Sequence, residues 1–216
     1  MDYSAKMLAE VAENPVFGAQ VQVYAPHKTV AFSRRESFMP GFEEAQQAAR
    51  DLGYEPIIRN TGGRAVAYDP TSLVFDIALP EPTLRYTNDF IFKEVGSVLV
   101  AMLRAFKIDA RLGEVPGEYC PGKFSINARD EVKLIGTSQR AMPGARLVSG
   151  SLLLTNTDET REVLTQIYAA MNFDWNPATV ASVEDEIGSV DQATFKSALT
   201  QELRIFGEHL FRKDYF

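Results

Sequence analysis

Through the first two-thirds of the chain, hydrophobic and polar positions alternate over short runs, and from about residue 157 they recur at helical spacing. Gln20–Tyr24 and Thr29–Ser33 read as strands on either side of the turn Ala25-Pro26-His27. Phe42–Leu52 is rich in Glu, Ala and Gln and precedes Gly53, the pattern of a helix closed by a glycine. Glu55–Arg59, Arg64–Tyr68 and Ser72–Leu79 follow as short strands, divided by Thr61-Gly62-Gly63 and Asp69-Pro70. Their closeness predicts antiparallel pairing, because a parallel crossover needs a dozen residues or more. Asn88–Phe106 is the longest helical pattern, with Phe92, Val95, Leu99, Met102 and Phe106 on one face.

Further strands are expected at Ala110–Leu112, Phe124–Asn127, Val132–Ser138 and Ala145–Thr155. The texture then turns helical: Thr157 to Met171 with acidic residues in its first turn, Val183–Ile187, and Gln192–Phe211. In the last of these, Phe195, Leu199, Leu203, Phe206 and Leu210 form a stripe for core packing. The expected fold class is α+β, a mostly antiparallel sheet flanked by helices. It forms a single domain over residues 1–216.

Composition changes this picture little. Hydrophobic residues make up 45% of the 216 and charged ones 24%, as in soluble globular proteins. A single cysteine rules out an intramolecular disulfide and lends no support to an oxidising compartment. Met1 to Glu10 carries Asp2 and Glu10 and lacks the apolar core of a signal peptide, and no run reaches the length of a membrane span. A cytoplasmic protein with no membrane partner is the expectation. The net charge of -7 argues against a nucleic-acid partner. A local basic face remains open, because Arg34, Arg35, Arg59, Arg64, Lys133, Arg140 and Arg146 fall in the first two-thirds of the chain.

The candidate chemistry centres on Cys120, set among turn residues in Gly117-Glu-Tyr-Cys-Pro-Gly-Lys-Phe-Ser-Ile-Asn127. Lys133 opens a strand thirteen positions on. A cation beside a thiol favours the thiolate, which is the nucleophile of covalent acyl transfer, whereas a lone cysteine is otherwise a small buried hydrophobe. Lys133 is the candidate base, since His27 and His209 are distant and carry no local signature. One cysteine and two separated histidines give no zinc site. Gly117 to Lys123 matches the start of a phosphate-binding loop, but Phe124 stands where the Ser or Thr belongs and a strand follows instead of a helix. In Arg59-Asn-Thr-Gly-Gly-Arg-Ala-Val66, the paired Gly62 and Gly63 either form a tight hairpin or bring amides close to a ligand.

Taken together, three blocks resemble the lipoate-protein ligase and octanoyltransferase family, a branch of the biotin/lipoate ligase fold. They are Arg59 to Val66, Lys133-Leu-Ile-Gly-Thr-Ser-Gln-Arg140, and the strand from Gly144 to Leu154. Asn176–Gly188 is similar to the family's linker into its last helices. Tyr119-Cys-Pro-Gly122 with Ser125-Ile-Asn127 resembles the branch of cysteine-dependent octanoyl-[glycine cleavage H protein] amidotransferases, which use no ATP. Tyr68, where many ligases have His, and Val148-Ser-Gly150, where they have His-x-Gly, depart from the ligase pattern. The stop at Phe216, with no accessory domain, points the same way.

The resemblance implies transfer of an octanoyl or lipoyl group, through a thioester on Cys120, to a lysine of a lipoyl domain. Acceptors would be 2-oxoacid dehydrogenase E2 or glycine cleavage H protein, and the donor an acyl-carrying protein. Lys133 would bond the acyl carbonyl, and Arg59, Gly62, Gly63 and Gly136 would hold it. Val66, Phe75 and Ile135 would line the acyl tunnel, and Arg64 and Arg140 would face an acidic partner. No cofactor is expected unless the chain is an ATP- and Mg-dependent ligase. A non-catalytic acyl-binding protein is the third alternative, and a monomer the plainer state.

Overall fold

The computed structural model describes residues 3–81 and 86–215, with side chains through Leu210. Met1, Asp2 and Phe216, which bear on the expectations for the two ends, lie outside them. The elements build two sheets. The larger has six strands in the order β1 (Gln20–Tyr24), β5 (Ser72–Glu81), β9 (Gly144–Leu153), β8 (Val132–Met142), β7 (Ile126–Ala128) and β6 (Ala110–Leu112). Every neighbouring pair in it is antiparallel. The smaller has the order β3 (Glu55–Arg59), β2 (Thr29–Ser33), β4 (Val66–Tyr68).

The period-two pattern of β5 explains the layering. Successive side chains point to opposite faces, so Leu73, Phe75, Ile77 and Leu79 share one face and Val74, Asp76 and Ala78 the other. The first face packs under α3 (Asn88–Ala105) and α6 (Gln192–Tyr215) with Val95, Leu99, Leu103, Phe195 and Leu199, all buried. On the second face, α1 (Tyr3–Glu13) buries Met7, Leu8 and Val11 against Ala78, Ala145 and Leu147. The smaller sheet has its own core, built with α2 (Phe42–Asp51) and α4 (Thr157–Ala170) around Phe32, Ala45, Leu164 and Tyr168. A short helix, α5 (Val183–Ile187), is opened by a reciprocal Ser182–Asp185 cap. Among the described residues no helix is long and apolar enough to cross a membrane.

The expected elements are present, but their pairing differs. The run from Glu55 to Leu79 does not fold as one antiparallel group: β3 and β4 are separated by β2, and β5 belongs to the other sheet. β2 and β3 run parallel because α2 supplies the crossover between them, while β4 returns antiparallel on the far side of β2. β1 and β2 likewise part into different sheets at the Ala25-Pro26-His27 turn. The last helix, not α3, is the longer, at 24 residues against 18.

Two close approaches hold the large sheet together. A Cβ on Gly150 would lie 2.3 Å from Phe75 Cζ, so the bare glycine leaves the space on β9 that the ring occupies. At the other end, Arg146 and Glu81 form a buried pair at 2.6 Å, and the guanidinium also donates to Asn88 Oδ1, Gln139 Oε1 and the carbonyl of Tyr86. Arg146 is therefore an internal tie between β5, β8, β9 and the start of α3, not part of a basic face. Arg146→Met leaves Glu81 buried without its cation and should cost about 3 kcal/mol or more. A lowered urea midpoint at unchanged m-value checks this.

Candidate active site

Cys120 lies in the loop between β6 and β7, at φ +44°, a left-handed conformation uncommon outside glycine. Glu118, two residues before it, organises that loop. Its side chain is fully buried, and Oε1 accepts from Ser125 Oγ (2.5 Å), Gly122 N (3.0 Å) and Lys133 Nζ (3.1 Å), while Oε2 accepts from Val115 N (3.2 Å). Lys133, 1% exposed, gives its two other hydrogens to the carbonyls of Tyr119 (3.0 Å) and Cys120 (2.7 Å). A β-bulge aims it there: Ile126 faces Ile135 and Asn127 faces Lys133, so Leu134 is an extra residue on β8. Leu134 and Ile135 both enter the core, and Lys133 returns to the face of Gly136, where a Cβ would stand 3.2 Å from its Cε.

The glycine loop between β3 and β4 closes over the sulfur. Arg64 N donates to Cys120 Sγ at 3.1 Å. Gly63, at φ +101°, is needed twice, because a Cβ would fall 2.8 Å from both Cys120 Sγ and Arg59 Nη2. Arg59 clamps its own loop through the carbonyls of Gly62 (2.8 Å), Arg64 (2.7 Å) and Ala31. Buried Glu36 accepts from Ala65 N at 2.7 Å and from Ser33 N at 2.7 Å. Tyr168 of α4 joins the two loops: its hydroxyl accepts from Cys120 N (2.7 Å) and donates to the carbonyl of Ala65 (3.2 Å).

The thiol opens on a cavity of about 660 Å³ between the sheets. Gly62, Gly63, Val66, Gly136 and Arg140 border it with Cys120 and Lys133. Phe75 and Ile135 do not. Strand alternation turns both into the α3–α6 core, where they are fully buried, and Val74 and Gly136 take the cavity face instead. Arg59 borders the cavity, but its donors are committed to backbone carbonyls. Arg64 reaches the thiol through its backbone, and its guanidinium lies 4.5 Å over the ring of Phe173. Lys133 has all three hydrogens donated, to Glu118 and two carbonyls of the cysteine loop, so in this arrangement it positions that loop.

Several residues that shape the site escaped the sequence reading. Glu118 left a signal, an acid inside a turn ahead of a lysine bound for the interior. Asp76 left one too, a lone charge in the apolar strand Ser72–Leu79; it is buried, accepts from Ser4 Oγ (2.8 Å), Gln22 Nε2 (2.6 Å) and Ser149 Oγ, and borders the cavity. Glu36 and Tyr168 left none, since they meet their partners 29 and 48 residues away.

Residues 23–204 match the family described as the lipoyl protein ligase A/B catalytic domain. The chain is 26% identical to an octanoyl-[GcvH]:protein N-octanoyltransferase of Geobacillus kaustophilus, over 89% of this chain and 72% of that protein. It is 28% identical to one so named from an Exiguobacterium species, over 87% and 69%. Among solved structures, lipoate-protein ligase A bound with ATP superposes with a TM-score of 0.67 at 20% identity, covering 98% of this chain and 90% of that one.

Two expectations follow from the geometry. Gly63→Ala should drive the sulfur off the Arg64 amide and slow Cys120 alkylation by iodoacetamide several-fold, with an unchanged circular dichroism spectrum. The second concerns pH. Burial above all raises the phenols of Tyr68, Tyr119 and Tyr168 over their ordinary value, with Cys120 adding to each and Glu118 to Tyr119. Below about pH 10, the unfolded value, both states keep these protons; above it the unfolded chain releases them first, so stability falls as pH rises. Urea midpoints should hold to about pH 9.5 and drop beyond it, with the phenolate absorbance of these three appearing only on unfolding.

Proposed function

The chain belongs to the lipoyl protein ligase A/B catalytic-domain family, and we propose that it is an acyltransferase moving an octanoyl or lipoyl group through a Cys120 thioester onto a lysine of lipoyl-domain proteins. The observation that carries this reading is the thiol itself, at the cavity wall, with a backbone amide donating to its sulfur from across a side-chain-free Gly63. An amide donor favours the thiolate, and the cavity beside it has room for a medium-length chain.

The Cys120 sulfur attacks the acyl carbonyl of the donor, and the donor's thiol or lysine amine leaves with a proton. The acyl group is then held as a thioester while donor and acceptor exchange. The acceptor lysine, as free amine, attacks the thioester carbonyl; the amide forms, the C–S bond breaks and the thiol is restored. Gly62 and Gly63 border the cavity beside the thiol, and their amides would steady the oxyanion in both steps. Lys133 and Glu118 keep the sulfur's backbone in place throughout. Arg140 at the cavity margin, with Arg64 over Phe173, suits an acidic acceptor domain such as glycine cleavage H protein or a 2-oxoacid dehydrogenase E2 domain.

The names carried by the relatives support octanoyl transfer, and the ligase bound with ATP among the structural neighbours sets the alternative. Intact-mass measurement after mixing with octanoyl-H protein or octanoyl carrier protein, without ATP, separates them. One octanoyl group should appear on the protein, be absent in Cys120→Ala, and pass to an apo lipoyl domain. Acceptor modification only with ATP and free acid would place the chain among the ligases.

A further inference from the structure

The donors nearest the thiol are already committed: the Lys133 ammonium to Glu118 and two carbonyls, the Arg59 guanidinium to three carbonyls, and the Arg64 backbone amide to the sulfur. Tyr68 is not. It is half-buried on β4, borders the same cavity as Cys120, and among the described residues its hydroxyl has no hydrogen-bond partner. A phenol withdrawn from bulk water normally finds a partner, so an unmatched one at a cavity wall points to a ligand atom. Its surroundings say which kind. Arg59, Cys120 and Asp76 border the same cavity, so the wall that carries this hydroxyl also carries the thiol, a guanidinium and a buried carboxylate. Tyr119, the other phenol beside the thiol, has its ring under Lys133 Nζ at 4.8 Å and edge-on to Trp175 at 6.4 Å.

We propose that Tyr68 is a catalytic residue whose hydroxyl donates a hydrogen bond to the acyl oxygen as it becomes an oxyanion, in both formation and breakdown of the Cys120 thioester. No proton is transferred: the phenol keeps its hydrogen, the C–S bond forms or breaks at the same carbon, and charge on oxygen rises and falls under the donor. Burial holds the phenol in its protonated form well beyond neutral pH, so it remains a donor over the working range. The inference rests on the acyl-transfer reading.

The test compares two reactions of the same sulfur. Acylation by octanoyl carrier protein develops an oxyanion, whereas alkylation by iodoacetamide does not. In Tyr68→Phe, single-turnover acylation at saturating donor should slow about 100-fold, the scale of one lost oxyanion donor. KM and the iodoacetamide rate should stay as in the unaltered protein. The substitution removes no internal hydrogen bond, and an unshifted melting curve verifies the fold. Unchanged acylation overturns the proposal. So does equal slowing of both reactions, which would mean that Tyr68 acts on the thiol or the loop. If the unaltered protein takes no acyl group from any donor, the transfer reading itself has failed, and this one with it.

Discussion

A lysine and a carboxylate buried together, Lys133 and Glu118, are the constraint on which the rest of the site depends. Removing two charges from water is costly, and their attraction offsets that cost only where the remaining donors and acceptors are also met. Here they are. The carboxylate collects three further donors from its own loop, and the ammonium spends its other hydrogens on the carbonyls of Tyr119 and Cys120. The pair thus fixes a backbone that local preference would not hold, since a non-glycine residue at φ +44° is sparsely populated and persists only where its surroundings enforce it.

The same economy governs the other half of the site. Arg59 and Glu36 spend their charge on backbone groups of the glycine loop, and Tyr168 joins that loop to the cysteine loop through one hydroxyl. Charged side chains that look like recognition elements in a list of residues are scaffolding here. What faces the cavity is mostly small or neutral: Gly63, Gly136, Ser149, Ser151 and Tyr68. Such a wall admits an acyl chain, and the ion pairs that would have repelled it are turned inward.

Much of this was legible in the chain. Alternation over Ser72–Leu79, the stripe from Phe195 to Leu210, and the glycine after Leu52 each led to the element observed, because each signal is local. Pairing was not local. Nothing in Glu55–Arg59 tells that β2 will lie between it and β4, since that order depends on where α2 packs. For the site, Cys120, Lys133 and the paired glycines were readable because turns and bare backbone leave marks in sequence. The assignment of Phe75 and Ile135 to the acyl wall failed for want of one bit of information, which face of the sheet is inside. Hydrophobicity cannot supply it when both faces are covered.

The extra residue in β8 has a consequence for how this chain can vary. On either side of Leu134 the strand is in opposite phase, so Lys133 and Gly136, three positions apart, share the cavity face only because the bulge absorbs one residue. Loss of Leu134 or Ile135 would restore plain alternation and leave the ammonium on the face of Gly136, whereas regular pairing with every residue kept would turn it to the face of Ile135, in the apolar core. A strand one residue shorter thus keeps this facing without a bulge, and a strand of full length keeps it only while the buried ammonium stays with Glu118 and the two loop carbonyls.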